Sequence, residues 1–359
     1  MAEIKLNKQH PLYQEDLKRI LEIPEIEELK GKSFLITGAT GLIGTCLIDA
    51  LMRYNRQDAD IHIYAIGRNW EKAQKRLGDY EHDVHFHFIE QDVRQPLPDN
   101  LNVDVIIPLA SNTHPLAYSQ FPVETIEINV KGAEHALNKA ISCGATVLYP
   151  SSVEVYGNAR GEDVFTEDYT GMLNLQNARS CYPESKRLSE ALCFSYMAEH
   201  HVNVKIIRLS RVFGPTMLAT DTKASSQFII KALAGEDIVL KSRGEQFFSY
   251  TYVADAVKAM LHVLLHGELG VPYNISNADC NVKLKDFASA CARWAGKDVV
   301  FDLPLEIEQK GYSVALHAIL DNDRLLSIGY KAQYPFKDSI QRTLEIIFNS
   351  CKIYEADAI

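Results

Sequence analysis

The residues best suited to chemistry are a tyrosine and a lysine four positions apart, in the segment YPESK from Tyr182 to Lys186. On a helix this spacing places the phenol and the ammonium on one face. A phenol has an ordinary pKa of about 10 and is a poor base at neutral pH, so a neighbouring positive charge is needed to favour the phenolate. The pair therefore predicts a tyrosine that exchanges protons with a substrate while the lysine lowers its pKa.

A serine precedes this pair at the end of a predicted strand, in the segment PSSVEVYG from Pro150 to Gly157. At that position the hydroxyl of Ser152 could hydrogen-bond a substrate oxygen that is being oxidised or reduced. The alternative is a serine that only ends the strand in a turn. The nearby Tyr182 and Lys186 favour the chemical interpretation.

A glycine-rich segment, GATGLIG, lies between a predicted strand and a predicted helix. Gly38 would permit a tight turn, Gly41 would let a pyrophosphate approach the backbone, and Gly44 would let the helix pack closely on the strand. The segment predicts a dinucleotide site at the start of a βαβ series. Its predicted contact residues are Gly38, Thr40, Gly41, Leu42, Ile43 and Gly44.

One position bears on the choice of dinucleotide. After the second predicted strand, where an NAD enzyme usually has an acid for the ribose 2′-hydroxyl, the chain has Arg68. A guanidinium could face the 2′-phosphate of NADP, or it could stack on adenine or point to solvent. NAD and NADP therefore both stay open as cofactors.

The elements around these residues alternate between short β-rich runs and periodic helices from residue 31 to about 210. This alternation predicts an α/β fold with a doubly wound parallel sheet and a smaller mixed α/β substrate-binding lobe. We expect a helical extension over 1–30, a Rossmann domain over 31–210 and the lobe over 211–359. The chain could cross back into the Rossmann part near 246–275.

Charge and composition exclude several classes of function. The net charge of −10 and the lack of a dense basic run argue against a nucleic-acid partner. Seven scattered cysteines without metal-ligand spacing predict reduced thiols, a cytoplasmic location and no metal site. No apolar run approaches the roughly 20 residues that a membrane-spanning helix needs, so no membrane partner is expected.

The motifs together resemble a known family. The GxxGxxG spacing, SSVEVYG and RSCYPESKR (179–187) are similar to the nucleotide-sugar branch of the extended short-chain dehydrogenases, the NAD-dependent epimerase/dehydratases. Within it they are most similar to UDP-glucuronate decarboxylases. The resemblance implies that Tyr182 handles the proton, that Lys186 lowers its pKa and binds the ribose, and that Ser152 assists at the sugar C4 oxygen. Glu154 matches a glutamate of decarboxylases and 4,6-dehydratases and completes the implied catalytic set.

The resemblance also implies further binding residues. Beyond the glycine segment, the cofactor would meet Arg68, Asp92, Val93, Leu109, Ala110, Ser111, Asn129, Tyr182 and Lys186. The sugar-nucleotide substrate would meet Ser111, Arg179, Arg211, Arg243 and Tyr250. Family members commonly form homodimers through two helices of the Rossmann domain, and a homodimer is expected by analogy.

The implied reaction is a transient oxidation at C4, followed by decarboxylation or epimerisation. Val153 stands where 4,6-dehydratases keep an aspartic acid, so elimination of water would lack its acid. Two departures leave the substrate open: Arg211 replaces a usual asparagine, and Phe248 replaces a usual arginine. Arg211 or Arg243 could compensate for that arginine.

Three other interpretations stay open. Arg68 favours an NADP-dependent reductase acting on a keto-sugar nucleotide. A non-catalytic dinucleotide-sensing protein would usually lack the Tyr182 and Lys186 pair that this chain retains. A scaffold in a polysaccharide-assembly complex has no positive sequence feature.

Overall fold

A computed structural model describes residues 6–113, 115–161, 163–302 and 316–356. The strands are β1 Ser33–Thr37, β2 His62–Gly67, β3 Phe86–Glu90, β4 Val105–Pro108, β5 Thr146–Ser152, β6 Val164–Phe165, β7 Val204–Leu209, β8 Arg211–Phe213, β9 Ile238–Leu240, β10 Phe247–Tyr252, β11 Pro272–Ile275, β12 Asn281–Lys283, β13 Val299–Phe301 and β14 His317–Leu320. The helices are α1 Pro11–Ile20, α2 Leu42–Asn55, α3 Trp70–Leu77, α4 Pro115–Gln120, α5 Pro122–Cys143, α6 Cys181–His200, α7 Ala224–Leu233, α8 Val253–His266, α9 Leu284–Ala295, α10 Asp323–Ser327 and α11 Phe336–Ala356.

Seven parallel strands form the main sheet in the order β11-β7-β5-β4-β1-β2-β3. The central strands β4 and β5 are almost wholly buried, as expected of apolar strands covered by helices on both faces. The predicted doubly wound fold is confirmed. Strand order reverses at β1, with β2 on one side and β4 on the other, and ligands bind at the carboxyl ends of strands at such a point.

A smaller sheet has the order β12-β10-β14-β6, with β8 also paired to β10, and β13 pairs with β9. It mixes antiparallel and parallel neighbours, since β10 runs antiparallel to β12 and parallel to β14. Two strands lie across the predicted boundary at 210: β6 joins the smaller sheet and β11 joins the larger one. The division into domains stays a prediction.

The amino-terminal helix α1 packs against α2, α8 and α11. Its buried Tyr13 and Asp16 bond to the body of the protein, the phenol to Asp49 at 2.6 Å and the carboxylate to Arg342 at 2.7 Å. The ion pair of Asp16 with Arg342 holds α1 against α11, near the two ends of the described chain. Within the described ranges, no helix is both long and apolar enough to cross a membrane.

Candidate active site

The glycine segment forms the turn between β1 and α2. Gly38 has a φ of +65°, and a Cβ there would lie 2.7 Å from the backbone nitrogen of Ala110. A Cβ on Gly44 would lie 2.5 Å from the carbonyl oxygen of Gly38, so both glycines are required by close backbone contacts. Gly41 precedes α2 and supplies no side-chain cap, which leaves the first helical N–H groups available to an anion. The other predicted residues of the turn are half-buried beside it: Thr40, Leu42 and Ile43.

Tyr182 and Lys186 lie one turn apart near the start of α6, and both are buried. Burial raises the pKa of Tyr182 to about 12, although a hydrogen bond with Ser152 opposes this shift. Burial lowers the pKa of Lys186 to about 8, and the negative charge of Glu190 opposes that shift. The ammonium donates to the carbonyl of Pro150 at 2.9 Å, which fixes its position beside β5.

A small cavity lies between the end of β1 and Lys186. Its lining includes Thr37 at the end of β1, Ala110 after β4, Asn129 of α5 and Lys186 of α6. The cavity therefore lies at the carboxyl ends of the central strands, where the sheet order reverses.

Ser152 ends β5 and begins a short 3₁₀ turn over Val153–Tyr156. Its hydroxyl accepts a hydrogen bond from the N–H of Glu154 at 3.3 Å, and its interaction with the phenol of Tyr182 opposes the rise in the pKa of that phenol. The negative charge of Glu154 contributes to the raised pKa of Tyr182. The structure thus brings all four predicted catalytic residues into one region.

A buried chain of hydrogen bonds ties three elements together around the pair. Ser111 donates to the side-chain oxygen of Asn129 at 2.7 Å, and Asn129 donates to Ser185 at 2.8 Å. Ser185 in turn donates to the carbonyl of Tyr182 at 2.9 Å. The network fixes the start of α6 relative to α5 and to the loop after β4. Leu109 and Ala110 of that loop are half-buried.

The predicted adenine and ribose residues lie at the ends of β2 and β3. Arg68 donates to Glu124 of α5 at 2.8 Å and is largely exposed. Asp92 accepts from Arg94 at 2.7 Å, and this hydrogen bonding lowers the pKa of Asp92. Because Arg68 already has a carboxylate partner, a 2′-phosphate would have to compete for it. Val93, next to Asp92, is buried.

Two of the predicted substrate residues, Arg211 and Tyr250, lie on paired strands, whereas Arg179 and Arg243 lie outside these strands. Arg211 on β8 lies against the ring of Phe248 on β10, with the guanidinium carbon 3.7 Å from the ring centroid. Tyr250, paired with Arg211 across the two strands, is buried, and burial raises its pKa to about 12. Arg243 is exposed before β10, whereas Arg179 is half-buried just before α6.

Two features escaped the sequence analysis. Tyr118 of α4 stacks on Tyr182 with ring centroids 4.9 Å apart, although no motif marks it. Asp60, His62 and His85 bring three potential metal-ligand atoms within 4.8 Å of one another, at the amino ends of β2 and β3. The sequence does not indicate this group, because His85 precedes β3 whereas Asp60 and His62 lie just before and at the start of β2. It lies at the opposite edge of the sheet from the glycine turn.

Comparison with known proteins identifies the family. The model of the NAD dependent epimerase/dehydratase family matches residues 34–277. The chain belongs to this family. Among curated relatives, UDP-glucuronic acid decarboxylase 6 of Arabidopsis thaliana is 35% identical over 243 residues, which cover 68% of each protein. UDP-glucuronic acid decarboxylase 1 of Xenopus tropicalis is 34% identical over 70% of this chain, and the match spans 58% of that relative.

Solved structures of nucleotide-sugar enzymes share the fold. UDP-glucuronic acid 4-epimerase from Bacillus cereus matches with a TM-score of 0.76 and 19% identity, over 89% of this chain and 99% of that one. The dTDP-glucose 4,6-dehydratase DesIV from Streptomyces venezuelae matches with a TM-score of 0.75 and 23% identity, over 90% and 99%. The confirmed family and fold agree with the resemblance seen in the motifs.

Proposed function

We propose that this family member binds NAD and modifies a nucleotide sugar by transient oxidation at C4. Decarboxylation of a UDP-glucuronate-like substrate is the favoured outcome, and epimerisation is the second. The observation that carries the proposal is the buried Tyr182, one helical turn from Lys186, at the same edge of the sheet as a glycine turn suited to a dinucleotide. Relatives named UDP-glucuronic acid decarboxylases support the choice of outcome.

The proposed roles follow from position. Tyr182 takes the proton of the C4 hydroxyl and later returns it, and Ser152 holds the same oxygen by a hydrogen bond. Lys186, held by the carbonyl of Pro150, supplies a positive charge one helical turn from Tyr182 and binds the ribose. Bound NAD supplies a reversible hydride acceptor, so no net oxidation is required. A ketone at C4 makes a C5 carboxylate a β-keto acid, which loses carbon dioxide readily.

Three observations bear on the rival interpretations. Val153 is buried and apolar, so it cannot protonate a leaving hydroxyl in a dehydration. The pairing of Arg68 with Glu124 supports NAD over NADP, which weakens the case for an NADP-dependent reductase. The intact pair of Tyr182 and Lys186 argues against a non-catalytic sensor.

We also propose a homodimer and a cytoplasmic location. Large apolar side chains are exposed on the packed helices α5 and α6: Val123, Ile126, Ile141, Leu188 and Phe194. A second copy of the chain would cover such a surface. Light scattering should report a dimer, and Leu188→Glu should produce monomers. The free, mostly buried cysteines of the described residues suit a reducing compartment.

The function is tested by offering the purified protein a panel of nucleotide sugars with NAD, beginning with UDP-glucuronate. Mass spectrometry should detect loss of carbon dioxide; loss of water or an unchanged mass with new stereochemistry would assign dehydration or epimerisation instead. Tyr182→Phe should lower kcat by about 10²- to 10⁴-fold. Tyr64→Phe on β2 is the matched control and should keep full activity. Stoichiometric consumption of reduced cofactor would instead identify a reductase.

A further inference from the structure

Arg211 has a guanidinium whose position is restricted by its neighbours, but one of its buried nitrogens has no hydrogen-bond partner among the described residues. Its guanidinium lies flat enough on Phe248 to bring the central carbon 3.7 Å from the ring centroid, an arrangement that restricts its orientation. One terminal nitrogen, Nη2, is 3.7 Å from a carboxylate oxygen of Glu154, which is an ion pair without a hydrogen bond. The other terminal nitrogen, Nη1, is buried and has no hydrogen-bond partner among the described residues.

A buried guanidinium N–H group without a hydrogen-bond acceptor is unusual in a folded protein. Buried donors are nearly always paired, because loss of water without a replacement acceptor is unfavourable. Such a group is explained where a ligand supplies the missing acceptor. A guanidinium presents donors in a planar fork that fits a carboxylate or a phosphate.

Glu154 locates this guanidinium relative to the reacting atoms. The same carboxylate lies 3.7 Å from Arg211, and Glu154 belongs to the 3₁₀ turn after Ser152, which packs against the helix α6 that carries Tyr182. Arg211 is therefore near the part of the sugar that faces Tyr182. In a C4 oxidation that part is C4, and C5 is its bonded neighbour, whereas the diphosphate is attached at C1 across the ring.

We propose that Arg211 binds a carboxylate on C5 of the sugar and selects acidic nucleotide sugars. The inference rests on the proposed function, because it uses Tyr182 to place C4. The two departures from the family motifs then form one unit: Phe248 gives the guanidinium a flat surface, and Arg211 supplies the charge from the neighbouring strand. Arg243 is exposed and is not needed for this role.

The test compares ligands that differ only in the proposed contact. In the Tyr182→Phe background, in which turnover is slowed, NAD-loaded protein is titrated calorimetrically with UDP-glucuronate, UDP-glucose and UDP. Arg211→Gln should weaken UDP-glucuronate binding by about 10-fold or more and leave the affinities for UDP-glucose and UDP within about twofold. Arg211→Lys should recover part of the loss. The exposed Arg293→Gln on α9 is the matched control and should change none of the three affinities.

The comparison across ligands separates recognition from folding. An equal loss for all three ligands would mean a diphosphate contact or a structural role, and would overturn the proposal. So would unchanged binding of UDP-glucuronate, or no binding of it by the protein with Arg211 intact. Failure of the proposed function has a different appearance: with Tyr182 restored, the protein would bind UDP-glucuronate through Arg211 without oxidising C4.

Discussion

At the scale of single residues, burial shifts the pKa values of Tyr182 and Lys186 in opposite directions. Loss of water disfavours the charged form of each, so the pKa of the phenol rises to about 12 and that of the ammonium falls to about 8. The hydrogen bond from Ser152 works against burial and makes the phenolate more accessible. Under the proposed function, Ser152 therefore lowers the pKa of the base as well as contacting the substrate oxygen.

Removal of this hydroxyl should have a pH-dependent effect. Ser152→Ala removes an interaction that lowers the pKa of Tyr182, so the phenol pKa should rise and the alkaline increase in kcat should move to higher pH. The pH profile of kcat measures this shift. Ser151→Ala is the matched control, because the Ser151 hydroxyl has no hydrogen-bond partner among the described residues. Equal profiles for both variants would contradict the assignment.

Motifs in the sequence led to the proposed catalytic residues because the chemistry of these residues depends on local spacing. Tyr182 and Lys186 belong to one helix, and Ser152 and Glu154 belong to one strand end. The contact of Arg211 with Phe248 could not be predicted in the same way, because it depends on the pairing of β8 with β10. The sequence shows Arg211 and Phe248 only as two separate departures from the family motifs.

At the scale of elements, the turn from β1 to α2 is the most constrained part of the site. Helix α2 packs so closely on the turn that Gly44 faces the carbonyl oxygens of Gly38 and Ala39. The sequence predicted this because glycine at the three positions has a steric meaning. The pairing of β6 with β14 has no comparable sequence signal, since the two strands are remote in the chain.

A methyl group at Gly44 should disrupt this packing. In Gly44→Ala the new carbon would lie 2.5 Å from one backbone oxygen and 2.9 Å from another, and backbone atoms cannot rotate away. Overpacking of this kind costs about 1–3 kcal/mol, and NAD affinity should fall with the displaced turn. Urea denaturation and NAD titration measure the two effects. Gly78→Ala, which would meet only a flexible side chain at 3.4 Å, should leave both unchanged; an equal effect there would contradict the steric argument.

At the scale of the whole molecule, buried charges join segments that are distant in sequence. Asp16 of α1 is buried and receives hydrogen bonds from Arg342 of α11 at 2.8 Å and Tyr252 of β10 at 2.6 Å. The sequence predicted a helical extension over 1–30 but gave no partner for it. A polar residue in the buried face of a helix has a partner that only the tertiary structure reveals.

Loss of the guanidinium should destabilise this junction. Arg342→Met leaves the carboxylate of Asp16 buried without its ion-pair partner, which costs about 3 kcal/mol in comparable buried pairs. The free energy of unfolding from urea titration measures the loss. Lys131→Met, which breaks an exposed pair within α5, should cost less than about 0.5 kcal/mol. Similar losses in the two variants would show that Asp16 does not depend on Arg342.

The pH dependence of stability should report a second buried carboxyl group, Asp255 in the first turn of α8. It accepts hydrogen bonds from the backbone N–H groups of Gln333 and Tyr334, yet burial raises its pKa to about 7 from an ordinary 3.8. A raised pKa means that the folded state binds the proton more tightly than the unfolded state. The resulting stabilisation is complete below about pH 4 and is lost as the pH rises through about 7.

Asp255→Asn cannot titrate, so the stability difference between the parent protein and this variant should decline over that range in urea titrations. The exposed Asp279→Asn should show no such decline, and a flat difference for Asp255→Asn would mean that its carboxyl is ionised throughout.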